Sequence, residues 1–179
     1  FTDMGGNLVN DAAELGRRVD AAFVMVMNGD QAKSVILGPD GLVENMHQGG
    51  VVILSATIKP HEAVEIGAAM QGSGIELIDT PVSGGFPGAQ GGTLTMMAAA
   101  PDDVMARARP VLEAVSASIH HVGTKAGDGQ TVKACLQSLI GSQFSATFEA
   151  AALAAKAGVS GEVLYNVFST SGAGSGVVN

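Results

Sequence analysis

Short, unbroken apolar runs alternate with segments of helical spacing along the first two thirds of the chain. Residues 11–19 read as a helix, and Ala21-Ala22-Phe23-Val24-Met25-Val26-Met27 follows as a continuous apolar run of strand length. Asn28-Gly29-Asp30 breaks that run, with Asp30 as the candidate N-cap of a helix over about 31–37. After a turn at Pro39-Asp40-Gly41, Val51-Val52-Ile53-Leu54 predicts a second strand. Pro60 then opens a helix reaching about Met70, at the position where a missing N–H costs nothing. Residues 75–79 predict a third strand and Leu94–Ala98 a fourth. A helix from Pro101 to about Ser116 comes next, and His120-His121-Val122 reads as a short fifth strand. Strands apolar throughout, separated by helices, imply an α/β fold with a mostly parallel sheet covered on both faces. The later connections differ and leave room for an antiparallel edge. The sheet domain is placed at 1–124.

From Gly127 the pattern changes. Residues 129–157 contain no Pro, are rich in Ala and Leu, and keep helical spacing for about eight turns. Gly158 is a suitable terminator, and Ser160 starts a second helix to about Ser169, before a Gly/Ser-rich tail at 171–176. A helix that long suggests a linking element at 125–179 leading into the start of an all-helical domain.

Composition narrows the function classes. Of 179 residues 46% are hydrophobic, enough for a sizeable core, and no apolar run reaches the roughly 18 residues that span a bilayer. No membrane partner is therefore expected, and a net charge of −8 with the acidic groups dispersed argues against nucleic acid as a partner. The one cysteine, Cys135, cannot form an internal disulfide; core packing is its expected role and a reducing cytoplasm the simplest location. His120 and His121 are adjacent, so a strand would point them to opposite faces, and no metal site is expected.

Two segments carry candidate chemistry. In Asp79-Thr80-Pro81-Val82-Ser83-Gly84-Gly85 a strand feeds a bend that removes side chains where it exposes backbone N–H groups. Pro81 is expected to end the strand's pairing, Gly84 and Gly85 to let a ligand approach closely, and Ser83 to offer a hydroxyl. Ligands of open α/β sheets collect at this end of the strands. On the long helix, Lys133, Gln137, Ile140 and Phe144 share one face. The helix N-terminus and burial in a cleft would both lower the lysine pKa, so Lys133 could exchange a proton with a substrate hydroxyl that the Gln137 amide orients. Gly141, in mid-helix, suggests close contact with another element. The tail GAGSG at 172–176 follows a helix, not a strand, and is not a dinucleotide fingerprint.

DTPVSGGFPGAQGGTLTMMA at 79–98 and GDGQTVKACLQ at 127–137 resemble the substrate and catalytic segments of the β-hydroxyacid dehydrogenases, the 3-hydroxyisobutyrate dehydrogenase-like family. The resemblance implies a Rossmann-type sheet and NAD or NADP as cofactor. Lys133 falls on the family's catalytic lysine. Ser83, Gly84 and Gly85 fall on the loop that holds the substrate, with Gln137 where most members carry Asn. Val26, Met27, Gln31 and Thr57 fall on cofactor-lining positions. Gln137 and the segment around it are similar to the L-threonate dehydrogenase branch, which implies a four-carbon sugar acid. The alternatives are 3-hydroxyisobutyrate, or reduction of tartronate semialdehyde. An alternative of another class is a non-catalytic module that keeps the fold. Members form homodimers or homotetramers. No G-x-G-x-x-G stretch precedes Phe23, so the resemblance reads the sequence as part of a longer protein that would bind cofactor poorly as it stands.

Overall fold

The computed structural model describes residues 1–176. After a 3-10 turn at Thr2–Met4, the chain runs α1 (Ala12–Gly16), β1 (Ala21–Val24), α2 (Gly29–Leu37), α3 (Leu42–Asn45), β2 (Val51–Leu54) and α4 (Pro60–Ala69). It continues through β3 (Glu76–Asp79), β4 (Val82–Ser83), α5 (Gly85–Gly91), β5 (Leu94–Ala99), α6 (Asp102–Glu113), β6 (Ser116–Gly123), α7 (Asp128–Lys156) and α8 (Gly161–Thr170).

The α/β, mostly parallel sheet expected from the apolar runs is present. Strands β1, β2 and β3 pair in parallel, and β6 pairs in parallel with β5. The antiparallel component comes from β5, which runs against both β3 and β4. Every residue of β2 is buried, as expected of a strand covered on both faces. One face carries Val52 and Leu54 into a core with Ile36 of α2 and Ile66 of α4; the other carries Val51, Ile53 and Ile78 against Val104 and Leu112 of α6.

Several local expectations change. Asn28, not Asp30, caps α2: its side chain accepts from Gln31 N–H at 2.9 Å, so the helix starts two residues earlier. Helix α1 is only Ala12–Gly16, capped by Asp11. Pairing does not end at Pro81. Met97 N–H donates to Pro81 O at 3.1 Å, and the chain stays paired with β5, Val82 opposite Met96 and Ser83 opposite Thr95, before residues 85–91 coil into α5. The short fifth strand expected at His120–Val122 is the eight-residue β6, which begins at Ser116, the residue expected to end the preceding helix.

Contacts divide the chain into two compact units, Phe1–Lys133 and the residues from Ala134 onward. Helix α7 runs through the division and closes at Gly158, whose φ of 80° favours glycine. In the second unit Ser160 caps α8, and no described residue is buried. Cys135 is exposed, contrary to the expected core role, because it lies off the face that carries Lys133. Gly141 has nothing within 4 Å of where a Cβ would stand, so the expected close packing is absent among the described residues.

Candidate active site

Strands β1, β2 and β3 finish level, with Val24, Leu54 and Asp79 in one register. The segments beyond them are stitched together by backbone bonds. Ser55 and Ala56 N–H both donate to Val24 O at 3.0 Å, and Thr80 N–H donates to Leu54 O at 2.9 Å. Met25–Met27, Ser55–Thr57 and Thr80–Ser83 therefore share one edge of the sheet, the end at which open α/β sheets bind ligands.

The centre of this edge is a buried carboxylate. Asp79 ends an apolar strand with no exposed surface, so its charge needs donors. The start of α7 supplies them. Asp79 Oδ2 accepts from Gly127 N–H at 2.8 Å and Gln130 N–H at 3.2 Å, and Oδ1 accepts from the Gln130 side-chain amide at 2.9 Å. Burial nevertheless raises the Asp79 pKa above the ordinary carboxylate range, against the lowering effect of these bonds. Both glycines of Gly127-Asp128-Gly129 have a steric reason. Gly127 sits at φ 97°, and a Cβ on Gly129 would stand 2.5 Å from Met97 O and 2.6 Å from Asp79 O.

Gln130, equally buried, completes the junction. Its Oε1 accepts from Ile58 N–H at 3.0 Å, and its Nε2 donates to Ala56 O at 3.0 Å as well as to Asp79. Thr57 is thus bracketed on both sides by one side chain. Neither Asp79 nor Gln130 stood out in the sequence as a site residue. The available signal was a carboxylate directly after Leu77-Ile78, at the end of a strand that becomes fully buried at Ile78 and Asp79.

Lys133 lies three residues past Gln130, about 4.5 Å along the helix axis. It is 6% exposed and has no hydrogen bond or ion pair among the described residues. Its pKa is lowered, as expected, but the cause is burial. Ser83 is four residues from Asp79, so its Cα lies within about 14 Å of Asp79. Lys133 and Ser83 are each tied to Asp79, the lysine through Gln130, which bonds Asp79 directly, and the serine through the chain. Gly84 and Gly85, at φ 129° and 56°, are exposed and adopt conformations that favour glycine whatever binds there.

The other expected positions divide clearly. Val26 is half-buried, and Met27 is 85% exposed. Gln31 accepts Met27 N–H at 2.9 Å, which commits its carbonyl oxygen to the loop and leaves its NH2 for a ligand. Thr57 is exposed. Gln137 lies one turn beyond Lys133 on α7, in the second unit, and is exposed. An open groove of about 670 Å³ lies elsewhere, lined in part by Val64, Met70, Leu77 and Lys125, and contains none of these residues. No metal-binding cluster occurs among the described residues, and no described helix is long and apolar enough to cross a membrane.

A mostly parallel sheet with helices on both faces and its loops gathered beyond the carboxyl ends of β1, β2 and β3 is a Rossmann-type fold. Residues 1–123 match the family model for the NAD binding domain of 6-phosphogluconate dehydrogenase. Residues 127–179 match that for NAD-binding of NADP-dependent 3-hydroxyisobutyrate dehydrogenase. The chain belongs to this family, the 3-hydroxyisobutyrate dehydrogenase-like proteins, whose cofactor class is NAD or NADP. It is 40% identical to an L-threonate dehydrogenase of Escherichia coli K12 over 158 residues, 88% of this chain and 52% of that protein. It is 34% identical to a 3-hydroxyisobutyrate dehydrogenase of Pseudomonas aeruginosa, over all of this chain and 60% of the other. A crystal structure of a 3-hydroxyisobutyrate dehydrogenase from Salmonella typhimurium superposes with a TM-score of 0.85 at 36% identity, covering 94% of this chain and 58% of that one. The chain thus spans a little over half the length of these relatives.

The residues present fit a nicotinamide. Met25 and Met27 expose apolar side chains beyond the carboxyl end of β1, and Thr57 is exposed beyond that of β2, groups suited to a flat ring carrying an amide.

Proposed function

We propose that the protein is an NAD(P)-dependent dehydrogenase that oxidises the 3-hydroxyl carbon of a small hydroxy acid, with L-threonate or a close relative as substrate and Lys133 as general acid/base. The observation that carries this reading is a buried lysine with no partner, its pKa lowered by burial, on a helix fastened to the carboxyl edge of the sheet. The neutral amine takes the hydroxyl proton as the carbonyl forms, and the ammonium returns it in the reverse direction. The bound nicotinamide supplies the hydride acceptor. Ser83, Gly84 and Gly85 hold the substrate carboxylate and hydroxyls. Gln137, on the same face of α7 as Lys133, orients the reacting hydroxyl. Val26, Met27, Gln31 and Thr57 line the cofactor.

The 40% identity to an L-threonate dehydrogenase and the longer amide of Gln137 favour a four-carbon sugar acid. A 3-hydroxyisobutyrate dehydrogenase is the second reading, supported by the relative matched over the whole chain. A tartronate semialdehyde reductase would use the same groups in reverse. The exposed side chains Leu139, Phe148, Leu153 and Tyr165 suit a surface covered in a homodimer or homotetramer. An exposed free thiol at Cys135 suits a reducing cytoplasm.

In the full-length protein Lys133→Ala should lower kcat by about 10²–10⁴-fold and leave the nicotinamide Kd within about threefold. Turnover like that of the parent would refute the assignment. Initial rates on L-threonate, 3-hydroxyisobutyrate and tartronate semialdehyde, followed at the nicotinamide absorbance band, separate the substrate readings. Light scattering after size exclusion tests the assembly, and a monomer would count against it.

A further inference from the structure

The Gln130 amide has three neighbours that allow only one orientation. Ile58 N–H can only donate, and Ala56 O and Asp79 Oδ1 receive what the amide offers, so Oε1 and Nε2 cannot exchange places without setting donor against donor. The side chain therefore grips the peptide on both sides of Thr57 and is itself gripped by the end of β3. One turn later comes Lys133, whose ammonium has no bond of its own among the described residues. With nothing holding the amine directly, its position follows from where the first turn of α7 is fastened.

We propose that Gln130, held by Asp79, is a positioning residue that fixes Lys133 relative to the Thr57 loop, so that proton transfer and cofactor contact are set by one side chain. This rests on the reading of Lys133 as acid/base and Thr57 as a cofactor contact. Gln130 touches neither substrate nor cofactor; it acts through the backbone at residues 56–58 and through the helix that carries Lys133. A shift of about 1 Å in such a constellation is enough to cost on the order of 10²-fold in rate.

The test uses the full-length protein with Gln130→Met, which keeps the length of the side chain and removes its polar atoms. Amide hydrogen exchange reads the clamp without any reaction. Ile58 N–H, whose acceptor is Gln130 Oε1, should exchange at least about tenfold faster while amides in β2 keep their protection. In steady state kcat should fall about 10–100-fold with both KM values within about threefold. Gln130→Glu should be at least as harmful, because it sets a carboxylate against Asp79 and Ala56 O. Adding Asp79→Asn to Gln130→Glu restores a donor facing an acceptor and should recover part of the lost kcat, a rescue that a purely space-filling role would not show.

Unchanged Ile58 exchange in a folded Gln130→Met variant would overturn the proposal. So would faster exchange with kcat untouched in an enzyme that Lys133→Ala inactivates. If Lys133→Ala turns over like the parent, the functional reading fails and the inference falls with it, which the exchange data distinguish from an intact but catalytically idle clamp. If Gln130→Met does not fold, the pair Gln130→Glu and Asp79→Asn/Gln130→Glu decides the matter, and absence of rescue overturns the proposal.

Discussion

Replacing Asp79 by Ala should be among the most damaging single changes in this chain, for a reason the geometry makes quantitative. The carboxylate accepts three hydrogen bonds, from Gly127 N–H, Gln130 N–H and Gln130 Nε2, in a place with no solvent exposure. Alanine removes the acceptors and leaves the donors buried. Each orphaned donor costs about 1–3 kcal/mol, and partial relaxation brings the sum to about 3–5 kcal/mol. For a chain of this size that is a fall in Tm of about 6–20 °C. Asp79→Asn should cost less, about 1–3 kcal/mol, since one oxygen can still accept the two backbone N–H groups while the new NH2 opposes Gln130 Nε2. Urea unfolding of the three proteins at pH 7 measures both numbers. The pH dependence has a definite sign. The folded-state pKa of Asp79 is raised, chiefly by burial, so the folded state holds its proton over a range where the unfolded chain has lost it. The advantage of Asp over Asn is therefore largest on the acid side and shrinks as pH rises through the raised value. A loss below about 1 kcal/mol for Asp79→Ala would mean that the carboxylate is not what holds α7 to the sheet.

Gly129→Ala should destabilise by at least about 2 kcal/mol, because its Cβ would stand 2.5 Å from Met97 O and 2.6 Å from Asp79 O; an unchanged urea midpoint would contradict that packing. Thr80→Val should raise stability by roughly 1 kcal/mol, since the Thr80 hydroxyl is buried without a protein partner; a comparable loss would reveal a partner for it. Lys133→Met should abolish the proposed turnover and raise stability. The amine's pKa is lowered by burial, so the gain is full below the folded-state value and disappears as pH rises toward the ordinary lysine value. A gain that grew with pH would refute that sign.

The sheet was legible because burial on both faces leaves a plain signature. Val51–Leu54 and Pro60 onward fall where the apolar run and the helix-start proline put them. The errors lie where two signals competed. Asp30 is a good cap in isolation, but Asn28 stands two residues earlier in extended backbone and closes on Gln31, so it takes the role. Ser116–Ile119 lies between the expected helix end and the expected strand at His120–Val122, yet pairing with Leu94–Met96 recruits it into β6, a strand exposed along much of its length. The positions carried over from the family resemblance fall at the carboxyl edge or on α7, although their roles remain the proposal above. Asp79 and Gln130 escaped notice because the bond that gives them their role joins residues 51 apart in sequence.

That pair also explains how the site can tolerate what surrounds it. A buried amine without a partner and two orphaned hydroxyls, Ser55 and Thr80, lie on or beside the carboxyl edge of β2 and β3, each unfavourable to folding. Had the junction between β3 and α7 been loose, the inexpensive response would be for the first turn of α7 to move and let water reach Lys133, which would restore its ordinary pKa. The bonds around Asp79 and Gln130 oppose that relaxation, with every polar atom of both side chains engaged. The lowered pKa of Lys133 is in this sense a property of the Asp79–Gln130 junction as much as of the lysine. A substitution that frees the junction should move the lysine's titration back up even where the fold survives.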